Sequence, residues 1–74
     1  MITPNKIVTL QESALALTPI IMAQGPYDIS ISELLHRVER DVRDLDQFML
    51  ALDVLYVLGR IDIDLEKGLL SYAA

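Results

Sequence analysis

The sequence predicts a mostly helical α+β fold, three helices followed by a C-terminal β-hairpin, as one domain over residues 1–74. Three observations predict it. Apolar residues recur at spacings of three and four as far as Leu58. Helix-start signals at Thr9–Glu12, Ser30–Glu33 and Asp44 divide that stretch into three segments. From Ile61 the period changes to two, with Ile61, Ile63 and Leu65 alternating with Asp62, Asp64 and Glu66.

Residues 1–8 read as a short arm, with Ile2, Ile7 and Val8 as apolar anchors and Pro4-Asn5 suited to a turn. The first helix is expected over 9–24. Thr9 and Glu12 form a capping box, and Leu10, Ala14, Leu17 and Ile21 form the apolar stripe. Pro19 inside this stretch removes one backbone hydrogen bond, which predicts a kinked helix. The competing reading starts a new helix at Pro19, with Thr18 as its cap. Gly25-Pro26 ends the segment, the glycine as a left-handed cap and the proline as a stop.

Tyr27-Asp28-Ile29 forms a short extended link. The second helix is expected over 30–42. Ser30 and Glu33 make a capping box, and Ile29 and Leu34 a hydrophobic staple. Ile31, Leu34, Leu35, Val38 and Val42 form its buried face. Its charged face places Glu33–Arg37, Glu39–Arg43 and Arg40–Asp44 at i,i+4. The third helix is expected over 45–58, capped by Asp44 with Gln47 as the reciprocal partner. Leu45, Phe48, Met49, Leu52, Leu55 and Tyr56 make one stripe, yet Leu50 and Val57 lie beside the outward Asp46 and Asp53. A helix apolar on nearly all sides is covered on more than one of them. Gly59 ends it. The hairpin, 60–74, is expected to turn at Lys67-Gly68, with Leu65 facing Leu70, Ile63 facing Tyr72 and Ile61 facing Ala74. Helix, link, helix, turn, helix, hairpin is the order of a winged helix-turn-helix.

The chain is 53% hydrophobic before its 3 glycines are counted, above the ~45–50% that a soluble domain carries with glycine included. A domain of 74 residues hides only ~60% of the surface of its unfolded chain. The surplus predicts a protein partner. No cysteine is present and there is one histidine, so disulfides, thiolate chemistry and Cys- or His-rich metal sites are excluded. No serine has an evident base partner and no Gly-rich phosphate loop occurs, which predicts no catalytic residue and no cofactor. No leader or membrane-length apolar run is present, so a cytoplasmic location is expected. The net charge of −5 opposes phosphate binding.

The third helix holds the position of a DNA-reading helix. Of its expected outward residues, only Gln47 suits base edges, and the wing carries three acids against Lys67. Direct DNA binding is therefore disfavoured, and the outward set reads as a protein interface: Gln47, Leu50, Asp53 and Val57, with Leu69 from the hairpin. Arg37, Arg40 and Arg43 lie three apart and are candidate contacts for an anion or an acidic partner; interleaved acids make a solvated, self-paired face the plainer reading. Asp62, Asp64 and Glu66 read as a charged edge that deters strand pairing rather than a cation site. His36 reads as a boundary residue half covered by packing.

The run from Phe48 to Ile61, followed by an acidic strand, Lys67-Gly68-Leu69-Leu70 and Tyr72, resembles the small middle components of prokaryotic ABC-three-component systems. Ile2–Asn5 and Leu10–Ser13 are similar as well, so the resemblance covers nearly the whole chain. Pro19 departs from it, standing where an unbroken helix is expected. The resemblance implies a non-catalytic accessory subunit. Its partners would be larger proteins, an SMC/Rad50-like coiled-coil ATPase and an effector, in antiviral or anti-plasmid defence. Two other readings of the residues remain: a small dimeric winged-helix regulator or antitoxin, and an acidic inhibitor that mimics nucleic acid.

Overall fold

The computed structural model describes the backbone of residues 4–73 and the side chains of residues 10–73. Its elements are α1 (Pro4–Met22), β1 (Ile29–Ser30), α2 (Ile31–Val38), a 3₁₀ turn (Glu39–Asp41), α3 (Leu45–Val57), β2 (Ile61–Asp64) and β3 (Leu69–Tyr72). Three helices and a small antiparallel sheet give the expected winged-helix-like α+β arrangement.

The first helix begins five residues before the expected Thr9. Pro4 opens it, because a first-turn proline lacks only an N–H that has no helical acceptor. Thr9 thus lies within the helix and is not its N-cap. Of the expected arm, residues 1–3 and the side chains of Ile7 and Val8 lie outside the described residues. Pro19 stays inside one helix. Its ring leaves the Leu15 carbonyl without an N–H donor, and the Thr18 hydroxyl donates to that carbonyl at 2.7 Å. Thr18 repairs the helix at the residue where the alternative reading broke it. The helix ends at Met22, and Gly25 is not in the left-handed region. Gly25 serves packing instead: a Cβ there would lie 3.0–3.2 Å from carbons of the Tyr72 ring.

Ser30 caps α2, its hydroxyl accepting from the Glu33 N–H at 3.1 Å. The Glu33 carboxylate turns away, to the Arg37 guanidinium at 3.3 Å. The helix stops at Val38, tightens into the 3₁₀ turn, and Val42 is extended. The expected pairs Glu39–Arg43 and Arg40–Asp44 therefore lose their helical spacing, and neither forms. Asp44 caps α3, accepting from the Gln47 N–H at 2.8 Å. Gly59 closes α3 at φ +73°. The Arg60 N–H reaches the Leu55 carbonyl and the Gly59 N–H reaches that of Tyr56, which is a Schellman motif.

The sheet order is β1-β3-β2. The link at Ile29 is a strand: Ile29 and Ser30 pair with Leu70 and Leu69. Two residues are too few to show alternation in a sequence. The hairpin register differs by two from expectation, with Ile61 facing Tyr72 and Ile63 facing Leu70. A slip of two keeps every side chain on its face, so alternation does not detect it. The turn decides. The Asp64 carboxylate accepts from the Glu66 and Lys67 N–H groups at 3.1 and 3.2 Å, and Gly68 takes φ +62°. This makes a four-residue loop, Leu65–Gly68, and removes Leu65 from the strand.

The core joins Ala14, Leu17 and Ile21 of α1 to Leu34 and Val38 of α2 and Phe48, Ala51, Leu52 and Leu55 of α3. Ile29, Ile61 and Leu70 close it from the sheet. The Tyr72 hydroxyl donates to the Ile21 carbonyl at 2.8 Å and ties β3 to α1.

Candidate functional site: the outer face of the third helix

The core takes Phe48, Ala51, Leu52 and Leu55, which lie on one side of α3. At 100° per residue, Leu45, Met49, Leu52 and Tyr56 fall within about 60° of one another. This second stripe borders the first and shares Leu52 with it. Met49 and Tyr56 are 55% and 52% exposed, and Leu45 is exposed beside them. Leu45, Met49 and Tyr56 therefore lie outside the core that a single stripe with Phe48, Leu52 and Leu55 predicts. One small core cannot face two sides of a helix, and the side toward α1 and the sheet is filled by Phe48 and Leu55.

Met49, Leu52 and Tyr56 of this stripe form the floor of an open groove of about 320 Å³. Met49, Leu52, Asp53 and Tyr56 line it from α3, Ile31 from the start of α2, and Ile63 and Leu65 from the hairpin. The capped turn holds Leu65 out at the rim, 85% exposed. Asp53 is the one charged lining residue. Asp46, seven positions earlier, is also exposed and follows the same side of the helix. The ion pairs among the described residues are Arg37–Glu33 and a 3.8 Å contact between His36 and Glu39, so neither aspartate has a counter-ion among them.

The expected interface residues separate. Asp53 and Val57 are exposed. Gln47 is only 4% exposed. Its Nε2 donates to the Ser13 carbonyl at 2.9 Å, and its Oε1 accepts from the Arg43 N–H at 2.6 Å. Gln47 therefore joins the start of α3 to α1 and is buried away from the surface. Leu50 is half-buried and packs on the core. Leu69 is half-buried in β3, between Ser30 and Asp64.

The arginines do not act together. Arg37 is paired with Glu33, Arg43 Nη1 donates to the Ser13 hydroxyl at 3.1 Å, and Arg40 is exposed on the 3₁₀ turn. His36 is exposed, not half covered. Asp62 accepts from the Ile63 N–H at 3.0 Å and Asp64 caps the loop, so both carboxylates serve the hairpin. No group of three or more metal-ligating side chains occurs among the described residues. No described helix is long and apolar enough to cross a membrane.

Sequence reasoning missed Met49, Tyr56 and Leu65 as surface residues. The signal for the first two was the number of apolar positions on α3, which exceeds what one face can hold. The signal for Leu65 was Asp64, a turn-capping residue just before it.

The family model described as "ABC-three component (ABC-3C) system Middle Component 7" matches residues 3–70. The chain belongs to this family. No curated protein and no solved structure matches it. The Middle Component 7 match runs from the start of α1 into β3 and includes every residue that lines the groove. A chain of this family is one component of a multi-component system, which fits the surplus of apolar surface on α3.

Proposed function

We propose that the chain is a non-catalytic interaction subunit that joins an SMC/Rad50-like ATPase to an effector component in a bacterial defence system. The observation that carries this reading is the open groove on α3, where Met49, Tyr56 and Leu65 are exposed together at the edge of a sound core. Exposed apolar side chains gathered in one concave patch mark a protein contact site. Membership in the Middle Component 7 family supports a role inside a multi-part assembly. The acidic outer side of α3, with Asp46 and Asp53, opposes the insertion of this helix into a DNA groove.

The test is recovery of the tagged full chain from its native host, with and without nuclease. The expected result is a nuclease-resistant, stoichiometric complex with a large ATPase, lost when Leu65→Asp and Met49→Asp are combined. Circular dichroism of that variant must match the wild type. Recovery of the chain alone, or of DNA-dependent partners only, overturns the reading.

A further inference from the structure

We propose that the groove receives an amphipathic α-helix of a partner subunit, with basic residues on that helix facing Asp46 and Asp53. This rests on the interaction-subunit reading and specifies the chemistry of its contact.

The shape of the floor points to a helix. From Met49 to Tyr56 the apolar floor runs for about two turns, some 10 Å, along α3, and Leu45 continues the same stripe one turn beyond the groove. Apolar anchors at matching helical spacing are how an amphipathic helix fills such a groove. The hairpin forms one wall, so the occupant is directed along α3 rather than across it. Strand addition is opposed by the edge that β2 offers. That strand has four residues, and the Asp62 carboxylate already engages the Ile63 N–H.

Charge selects among helices. Asp53 lines the groove and Asp46 lies two turns before it on the same side of α3; both are exposed, and neither is paired within the described residues. The chain carries −5 overall. A Lys or Arg at each of two positions seven apart on the occupant would complement this pair. A second copy of the chain would instead bring its own aspartates and its own −5 to the same place, so self-association by this face is disfavoured.

The probes are two Ala-rich helical peptides of about 20 residues, long enough to be partly helical alone. Both carry leucines at the spacing of the α3 stripe. One carries lysines on the flank and its twin carries glutamates. The expected result is binding of the lysine peptide, with NMR shifts at the Met49 methyl, the Tyr56 ring and Leu65. The glutamate twin binds about tenfold or more weakly, and D46K/D53K inverts the preference. Equal affinity for the twins, binding of neither, or shifts confined to another surface overturns the proposal. So does a sedimentation dimer of the free chain that Met49→Asp dissociates. The pull-down separates the two levels. A D46K/D53K chain that recovers the native complex as well as wild type sinks this proposal and leaves the subunit reading standing, whereas a wild-type chain that recovers nothing sinks the subunit reading.

Discussion

The inner side of α3 gives Phe48, Ala51 and Leu55 to the core, while the outer side gives Leu45, Met49 and Tyr56 to solvent. The two sides are alike in composition and differ in what meets them. α1 and β2 cover the first. The second faces only the rim built by Ile31 and the hairpin. Hydrophobicity therefore marks which surfaces of this helix need cover. It does not say which surface is covered within the chain and which is left for another one.

The comparison predicts opposite responses to truncation. Phe48→Ala removes a fully buried ring and is expected to cost about 3–5 kcal/mol, enough to unfold a domain of this size. Urea denaturation measures it. A loss under 1 kcal/mol would mean that Phe48 is not the inner anchor.

Leu50 lies on the opposite side of α3 from Leu52, near Asp46, Asp53 and Val57. It is half-buried against the core, so Leu50→Asp puts a charge into an apolar contact. A loss of about 2–3 kcal/mol is expected in the same assay. A neutral result would return Leu50 to the interface that its position beside Asp53 suggested.

Much of this contrast was legible in the sequence. The order of elements, the Ser30 and Asp44 caps, the Gly59 stop and the apolar excess of α3 all follow from local chemistry. The rest depends on information that the sequence does not carry locally. The start of α1 was misplaced because Thr9–Glu12 satisfies a capping pattern that an upstream proline overrides. The hairpin register was off by two because alternation has that period. A polar residue beside an aspartate suits a solvated surface, which is why the sequence alone places Gln47 outward. Only the Ser13 carbonyl, brought near by tertiary packing, makes it a core residue.

That link is the third test. Gln47→Leu keeps roughly the volume but leaves the Arg43 N–H without its partner and removes the tie to the Ser13 carbonyl. The expected loss is about 1–2 kcal/mol. It should appear with no change in affinity for a groove ligand, because Gln47 points away from the groove. A binding defect without a stability defect would restore it to the interface.

The tie between β3 and α1 is expected to respond to pH. Burial pushes the Tyr72 phenol up, and the positive charge of Arg37 offsets part of that rise. Because the folded value is above the unfolded one, the neutral phenol favours folding. That contribution is complete below about pH 10 and is lost as pH rises through the folded value. The wild type should lose stability above about pH 10 more steeply than Tyr72→Phe, which lacks both the titration and the bond to Ile21. Parallel alkaline profiles would show that Tyr72 is not what fastens β3 to α1.

The smallest stability effect is expected from Met49→Ser. Met49 is more than half exposed, so the change removes little buried area and should stay within about 0.5 kcal/mol in urea. The same substitution deletes a central part of the groove floor and should weaken partner binding while the fold is unchanged. Phe48 and Met49 are adjacent in the chain and similar in hydrophobic character, so the pair isolates the variable that matters. If both variants unfold the domain, the outer stripe belongs to the core and the groove is a defect of packing. If Met49→Ser changes neither stability nor binding, the partner sits elsewhere, with Val57 and Leu58 at the end of α3 as the next exposed apolar surface to test.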